Sequence, residues 1–307
     1  MNRRQFVQAS IRASVGVYLT STFNSVEARA SRSLTEFLVT KCSRRIQAVT
    51  AFGVWSEHFY LYSPRDRAVF VVKENLVTER WDVSFVKKLS ALTVSSNGKN
   101  ESLYISDSAS HTISRIRSPG RIEFQLGRAK STTEMFRKFL LTCPTAIAVS
   151  TDRELYVCES AYGQRVHRFT NNGDYIQTIA CQEMRPKSIP VPTNICLAGT
   201  NHNELFVSDY LNRRVNVFTL DGLLRHSISL GSIFPRLMIG RKRTIIVIGS
   251  SNEMVGIDPV GHNTYEFAAA TIPERGRKKL CSLDAGGNLY AVDGYGRISK
   301  TTTMCCV

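Results

Sequence analysis

A single unit repeats along this chain, and its period constrains the fold more than any composition figure does. In residues 145–179 an apolar strand, Thr145 to Val149, is followed by a polar turn, Ser150 to Arg153, and a second strand, Glu154 to Glu159. The loop Ser160 to Gln164, a third strand Arg165 to Phe169, the turn Asn171 to Asp174 and a fourth strand Tyr175 to Ile179 complete it. The same order returns in 91–126, where Asp107 closes the second strand, and in 192–230, where Asp209 does so. Weaker copies occupy 48–81, 236–270 and 279–303. Measured at the end of the second strand (Ser63, Asp107, Glu159, Asp209, Ser250, Asp293), the intervals are 44, 52, 50, 41 and 43 residues. Short apolar runs between turn signals read as strands, and a period of about 40 to 50 residues reads as propeller blades.

Six such units predict an all-β chain folded as a six-bladed β-propeller of four-stranded blades, because radial repetition leaves only short, protected sheet edges. Closing the ring makes a further demand. The last unit has strand signals at Leu280 to Leu283, Asn288 to Val292 and Arg297 to Thr301, then stops without a fourth. The apolar stretch Leu34 to Val39 is the candidate for the missing edge strand, so residues 34–40 are expected to latch the ring. The chain then divides into a basic leader over 1–33 and a propeller over 34–307.

The stretches Leu103 to Ile113, Leu155 to Phe169 and above all Leu205-Phe206-Val207-Ser208-Asp209-Tyr210-Leu211-Asn212-Arg213-Arg214-Val215-Asn216-Val217-Phe218 resemble the NHL repeat. The resemblance spans about residues 46–303 and is most like the propeller ends of tripartite-motif NHL proteins, although this chain carries no RING finger, B-box or coiled coil. It departs from the family pattern at Ser63 and Ser250, where the acid after the second strand is missing. The resemblance implies a recognition module that binds single-stranded RNA or protein partners on one face.

Composition narrows the classes. Of 307 residues, 43% are hydrophobic and 21% charged, which excludes disorder throughout, and no run approaches the roughly 20 apolar residues of a spanning helix. The net charge of +15 favours polyanionic partners. None of the eight cysteines forms a CxxC or a zinc-module spacing, so they read as reduced, buried thiols in a reducing, cytoplasmic setting. The amino terminus leaves that open. Arg3-Arg4-Gln5-Phe6 has a twin-arginine look and Ala28-Arg29-Ala30 the shape of a cleavage site, but Arg12 interrupts the apolar region, and an organellar signal or a plain basic leader fits as well.

Catalytic signatures are scarce. There is no G-x-S-x-G and no P-loop, and the six histidines fall in loops, outer strands and opposite-rim turns that share no face. That argues against the amidating lyase, the enzymatic relative on this fold, whose histidines converge on a central zinc. The expectation is therefore of no enzyme, no metal and no cofactor. The repeated acids Asp107, Glu159, Asp209 and Asp293 are expected to hold the loops that follow them.

Charge is more informative. The inter-blade segments 82–90, 127–143, 181–191, 231–236 and 271–279 carry a combined +9, whereas the turns of the opposite rim are near neutral apart from Arg241-Lys242-Arg243. In a propeller the inter-blade loops and the loops after the second strands share one face. That face is the expected site for RNA, with cations on phosphates and aromatics stacking on bases. The candidate residues are Lys87, Lys88, Arg128, Lys130, Phe136, Arg137, Lys138, Phe139, Tyr162, Arg185, Lys187, Tyr210, Arg213, Arg236, Arg275, Arg277, Lys278 and Lys279. Two alternatives stand beside this reading: a protein-interaction or substrate-recognition scaffold linked to ubiquitin ligation, and an exported propeller enzyme.

Overall fold

The computed structural model describes residues 35–38, 46, 49–55, 58–74, 76–96, 101–127, 141–159, 164–179, 192–198, 203–241, 244–250, 253–266, 280–284, 288–292 and 298–301. Its strands pair into six four-stranded antiparallel sheets, the blades of a β-propeller. Blade 1 is β2 (Ala51–Trp55), β3 (His58–Ser63), β4 (Ala68–Lys73) and β5 (Leu76–Asp82), and blade 2 is β6 (Leu89–Ser96), β7 (Glu101–Asp107), β8 (Thr112–Arg117) and β9 (Arg121–Leu126). Blade 3 holds β10 (Pro144–Val149), β11 (Leu155–Glu159), β12 (Arg165–Phe169) and β13 (Tyr175–Ile179), within a residue of the bounds read from the sequence. Blade 4 holds β14 (Pro192–Ala198), β15 (Glu204–Asp209), β16 (Arg214–Thr219) and β17 (Leu224–Ser229), and blade 5 holds β18 (Pro235–Arg241), β19 (Thr244–Gly249), β20 (Met254–Ile257) and β21 (Thr264–Glu266).

Blade 6 is assembled from both ends of the chain. Its inner strands are β22 (Leu280–Leu283), β23 (Leu289–Val292) and β24 (Ile298–Thr301), and its outermost strand is β1 (Thr35–Leu38), paired antiparallel with β24 from Thr35↔Thr301 to Leu38↔Ile298. Among the described residues there is no helix, and none is long and apolar enough to cross a membrane.

The core is a ring of seams between blades. Tyr60, Val69 and Trp81 of blade 1 pack on Leu103 and Ile105 of blade 2. Phe52, Phe59 and Leu61 meet Tyr290, Val292 and Ile298 across the closing seam between blades 1 and 6. The second strands are buried on both faces, every residue of β11 and β15 being enclosed, while burial in the outer strand β17 alternates along its length. Burial on both faces explains why the second strands are continuous apolar runs.

The acids at the repeat position tie these seams to the loops. Both Asp107 oxygens are used: Oδ2 accepts from the Lys87 amide (2.8 Å), and Oδ1 from the amides of Lys88 (3.0 Å), Ala109 (3.0 Å) and Ser110 (3.2 Å). Burial raises the Asp107 pKa, but these donors outweigh it and hold the carboxyl below its ordinary value. Glu159 accepts instead from the Thr142 amide and lies 3.0 Å from His167 Nε2, and Asp209 takes Asn212 Nδ2 (2.7 Å) and Arg214 Nε (3.0 Å). In blade 1 Ser63 donates to Asp66 Oδ2 at 2.7 Å, so the loop supplies the carboxylate the strand lacks.

Two outcomes follow from this architecture. Removing residues 1–40 takes β1 from the closing blade and lowers the melting temperature, whereas removing 1–30 leaves it unchanged; calorimetry on both truncations checks this. Asp107→Asn costs about 1 to 3 kcal/mol at neutral pH. Because the folded pKa is depressed, that contribution is present above the unfolded value near about 3.9 and fades as pH falls through the folded value, so the gap between wild type and variant in denaturant titrations narrows in acid.

Candidate functional site

The inner strands β2, β6, β10, β14, β18 and β22 surround a central channel of about 450 Å³, within the usual range for small-molecule sites. Four of them are bulged at one repeated place, the second residue of the strand: Ser90, Thr145, Thr193 and Arg236 each sit where the register with the second strand shifts. A bulge turns a side chain away from the regular pleat and is a frequent feature beside binding sites. Two of the three hydroxyls so placed reach across the seams, while Thr145 Oγ1 donates within blade 3 to the Cys158 carbonyl at 3.4 Å. Ser90 Oγ donates to the Pro144 carbonyl of blade 3 at 2.6 Å, and Thr193 Oγ1 to the Pro235 carbonyl of blade 5 at 3.0 Å. One turn of pleat deeper, Thr93 Oγ1 donates to Ile147 O at 2.9 Å.

Among the described residues the channel wall holds no charged side chain. Thr50, Ser90, Thr145 and Asn194 bring polar groups to it from the upper ends of the inner strands, and Ala51, Leu92, Ile147, Ile195 and Leu280 supply apolar surface. Asn194 uses Oδ1 to accept the Ile195 amide at 2.9 Å, which leaves its amide nitrogen as the donor end. Cys196 and Cys281 also reach the wall. Burial pushes the Cys196 thiol far up, so at neutral pH it is a thiol and not a thiolate nucleophile.

The described candidates for the RNA face lie outside the channel. Lys87 and Lys88 are exposed beside Asp107, which binds their backbone amides. Tyr210 and Arg213 are brought together by Phe234: its ring centroid is 5.4 Å from that of Tyr210, and the Arg213 guanidinium lies 4.4 Å above it. The Tyr210 hydroxyl is 3.0 Å from Ser250 Oγ. Arg236 occupies the bulge of β18. The other candidates, Arg128, Lys130, Phe136, Arg137, Lys138, Phe139, Tyr162, Arg185, Lys187, Arg275, Arg277, Lys278 and Lys279, fall outside the described residues. Sequence reasoning missed Phe234, which lies in a segment weighed only for its charge.

The histidines need a correction. His111 Nδ1 accepts the Cys143 amide at 3.0 Å, His58 lies 2.8 Å from Glu101, and His167 is enclosed in blade 3 between Glu159 and Thr178. His226 and His262, however, do share a surface: their ring centroids are 4.1 Å apart on the lower rim, although they belong to neighbouring blades. No linear spacing relates an outer strand to the next blade's hairpin turn. Among the described residues no three or more His, Cys, Asp or Glu side chains have the arrangement of a metal site.

No protein-family model and no curated protein matches the sequence. Solved structures do. A virginiamycin B lyase from Staphylococcus aureus, a catalytically inactive form holding quinupristin, is 12% identical with a TM-score of 0.61 over 89% of this chain and 100% of that one. A gluconolactonase from Xanthomonas campestris is 15% identical with a TM-score of 0.60 over 89% and 90%, and a streptogramin B lyase is 12% identical with a TM-score of 0.58 over 89% and 98%. At these identities the likeness establishes the fold. It also overturns the expectation that this chain is no enzyme, since the propellers it superimposes on include two lyases and a lactonase.

Proposed function

We propose that the chain is a propeller enzyme that takes a small, uncharged organic substrate into the upper mouth of its central channel. The observation that carries this reading is the contrast between a chain of net charge +15 and a 450 Å³ channel whose described wall has no charge at all. An ionised ligand entering such a wall loses hydration with no counter-charge to replace it, which costs several kcal/mol, whereas a neutral ligand with a few oxygens loses little. The Asn194 amide nitrogen is the donor for a substrate oxygen, the Ser90 and Thr145 oxygens, whose protons go to the Pro144 and Cys158 carbonyls, accept from a substrate hydroxyl, and Ala51, Leu92 and Leu280 offer surface for a carbon skeleton. Their part is to orient the substrate. The side chains of the described wall that ionise in water are the Cys196 and Cys281 thiols. One neighbouring enzyme supports the reading, since it is named for a lactone, a small neutral ring.

A second reading rests on the cluster of Tyr210, Phe234 and Arg213, with the exposed Lys87 and Lys88 on the same face and Leu211 58% exposed beside it. Aromatic rings, a guanidinium and exposed lysines are the elements that hold single-stranded RNA. This reading also keeps the blades as NHL-type repeats, on the strength of the motif from Leu205 to Phe218.

Two experiments decide between them. D-glucono-1,5-lactone and quinupristin serve as probes, with turnover followed by mass spectrometry. Thr50→Trp, which adds a ring at an exposed mouth position, and Asn194→Ala are expected to reduce turnover at least tenfold while circular dichroism and melting temperature hold; unchanged turnover in both rejects the channel. For RNA, Lys87→Ala, Lys88→Ala and Arg213→Ala together weaken binding to a single strand and lower the slope of log affinity against log salt by about 0.7 per lost phosphate contact. An unaltered slope rejects the second reading.

A further inference from the structure

The lower rim holds a charge cluster that neither the channel nor the upper face uses. Three elements of two blades meet there. Glu204 opens β15 and is buried; His226 lies on β17; His262 ends the turn between β20 and β21. His262 Nε2 is 2.9 Å from Glu204 Oε2, and Arg225 Nη1 is 3.5 Å from Glu204 Oε1. The His226 ring tilts against His262 at 4.1 Å, and its Nε2 is buried with no hydrogen-bond partner among the described residues. Phe206 closes the floor, its ring 6.0 Å from that of His262.

One carboxylate therefore stands among three basic groups and pairs with two of them. Glu204 already has Arg225 on one oxygen and His262 on the other. A proton on His226 adds a positive charge beside His262 and Arg225, and among the described residues its Nε2–H has no acceptor. Asp258, the remaining acid of the turn, is committed to the amides of Val260 (2.9 Å) and Gly261 (2.9 Å). From β16 the cross-strand neighbour is Val217, which offers no charge.

We propose that His226, His262 and Glu204 form an acid-sensitive latch across the seam between blades 4 and 5. With His226 neutral the two rings pack and Glu204 ties the blade 5 turn to blade 4. Protonation of His226 adds a buried positive charge against the His262 ring and the Arg225 guanidinium, and the turn Asp258 to His262 separates from β15 and β17. Burial and the neighbouring His262 both hold the His226 pKa below its ordinary value, as a latch closed at neutral pH requires.

The sign of the effect follows from linkage. A histidine with a depressed folded pKa binds its proton more readily in the unfolded chain, so its contribution to stability is complete above about pH 6.5 and declines as pH falls toward the folded value. The test compares melting temperatures of the full chain and of His226→Gln between about pH 8 and pH 5. The difference between the two is expected to be constant at the alkaline end and to move in favour of the variant below about pH 6.5. A parallel decline in both proteins overturns the latch. Should His226→Gln fail to fold, the imidazole Cε1–H resonances of the wild-type chain decide: His226 is expected to titrate below the ordinary histidine value and to move upward in His262→Gln, and titration at or above that value overturns the proposal.

Discussion

Each inner strand of this propeller has a sheet partner on only one side, and the ring depends on what happens at its other edge. Those edges face the channel and the next blade, where an orphaned carbonyl would carry the full cost of a lost hydrogen bond. The bulged second residues answer part of the demand: Ser90 and Thr193 point hydroxyls at Pro144 and Pro235 of the following blades, and Thr93 does the same for Ile147. Proline at the start of β10, β14 and β18 suits the arrangement, since the strand entry needs a carbonyl acceptor and not an N–H donor.

Polarity is sorted by the same geometry. Strand interiors belong to the seams, so apolar side chains fill them, and the carboxylates at the ends of β7, β11 and β15 bind loop amides, an imidazole or guanidinium groups, with Asp209 Oδ1 left buried and without a hydrogen-bond partner among the described residues. The channel is left with hydroxyls, an amide, thiols and hydrocarbon. Its neutrality is a property of the fold as much as of composition, because the charged positions of each repeat lie at rims and on outer strands. The upper rim carries cations and an aromatic cluster; the lower rim carries the Glu204 group.

The blades were legible because their signals are local: a turn, an apolar run, an acid, repeated at nearly constant spacing from Ser63 to Asp293. A four-residue strand such as β24 is within reach of the same signals, and its antiparallel pairing with β1, some 260 residues away, follows from an unfilled edge. Function was less legible. Reading histidines by the element on which each sits separated His226 from His262, and scoring segment 231–236 by charge passed over Phe234 beside Tyr210 and Arg213.

What the sequence by itself determined is the all-β class, the number of blades and most strand limits, because alternation, turn chemistry and repeat spacing act over tens of residues. What only the tertiary structure decided is which side chains meet. The closure of the ring puts β17 of one blade against a turn of the next, sets Arg213 over Phe234, and leaves a channel whose wall is drawn from all six inner strands. Those contacts depend on how the blades pack around a common axis, and no linear spacing records that angle.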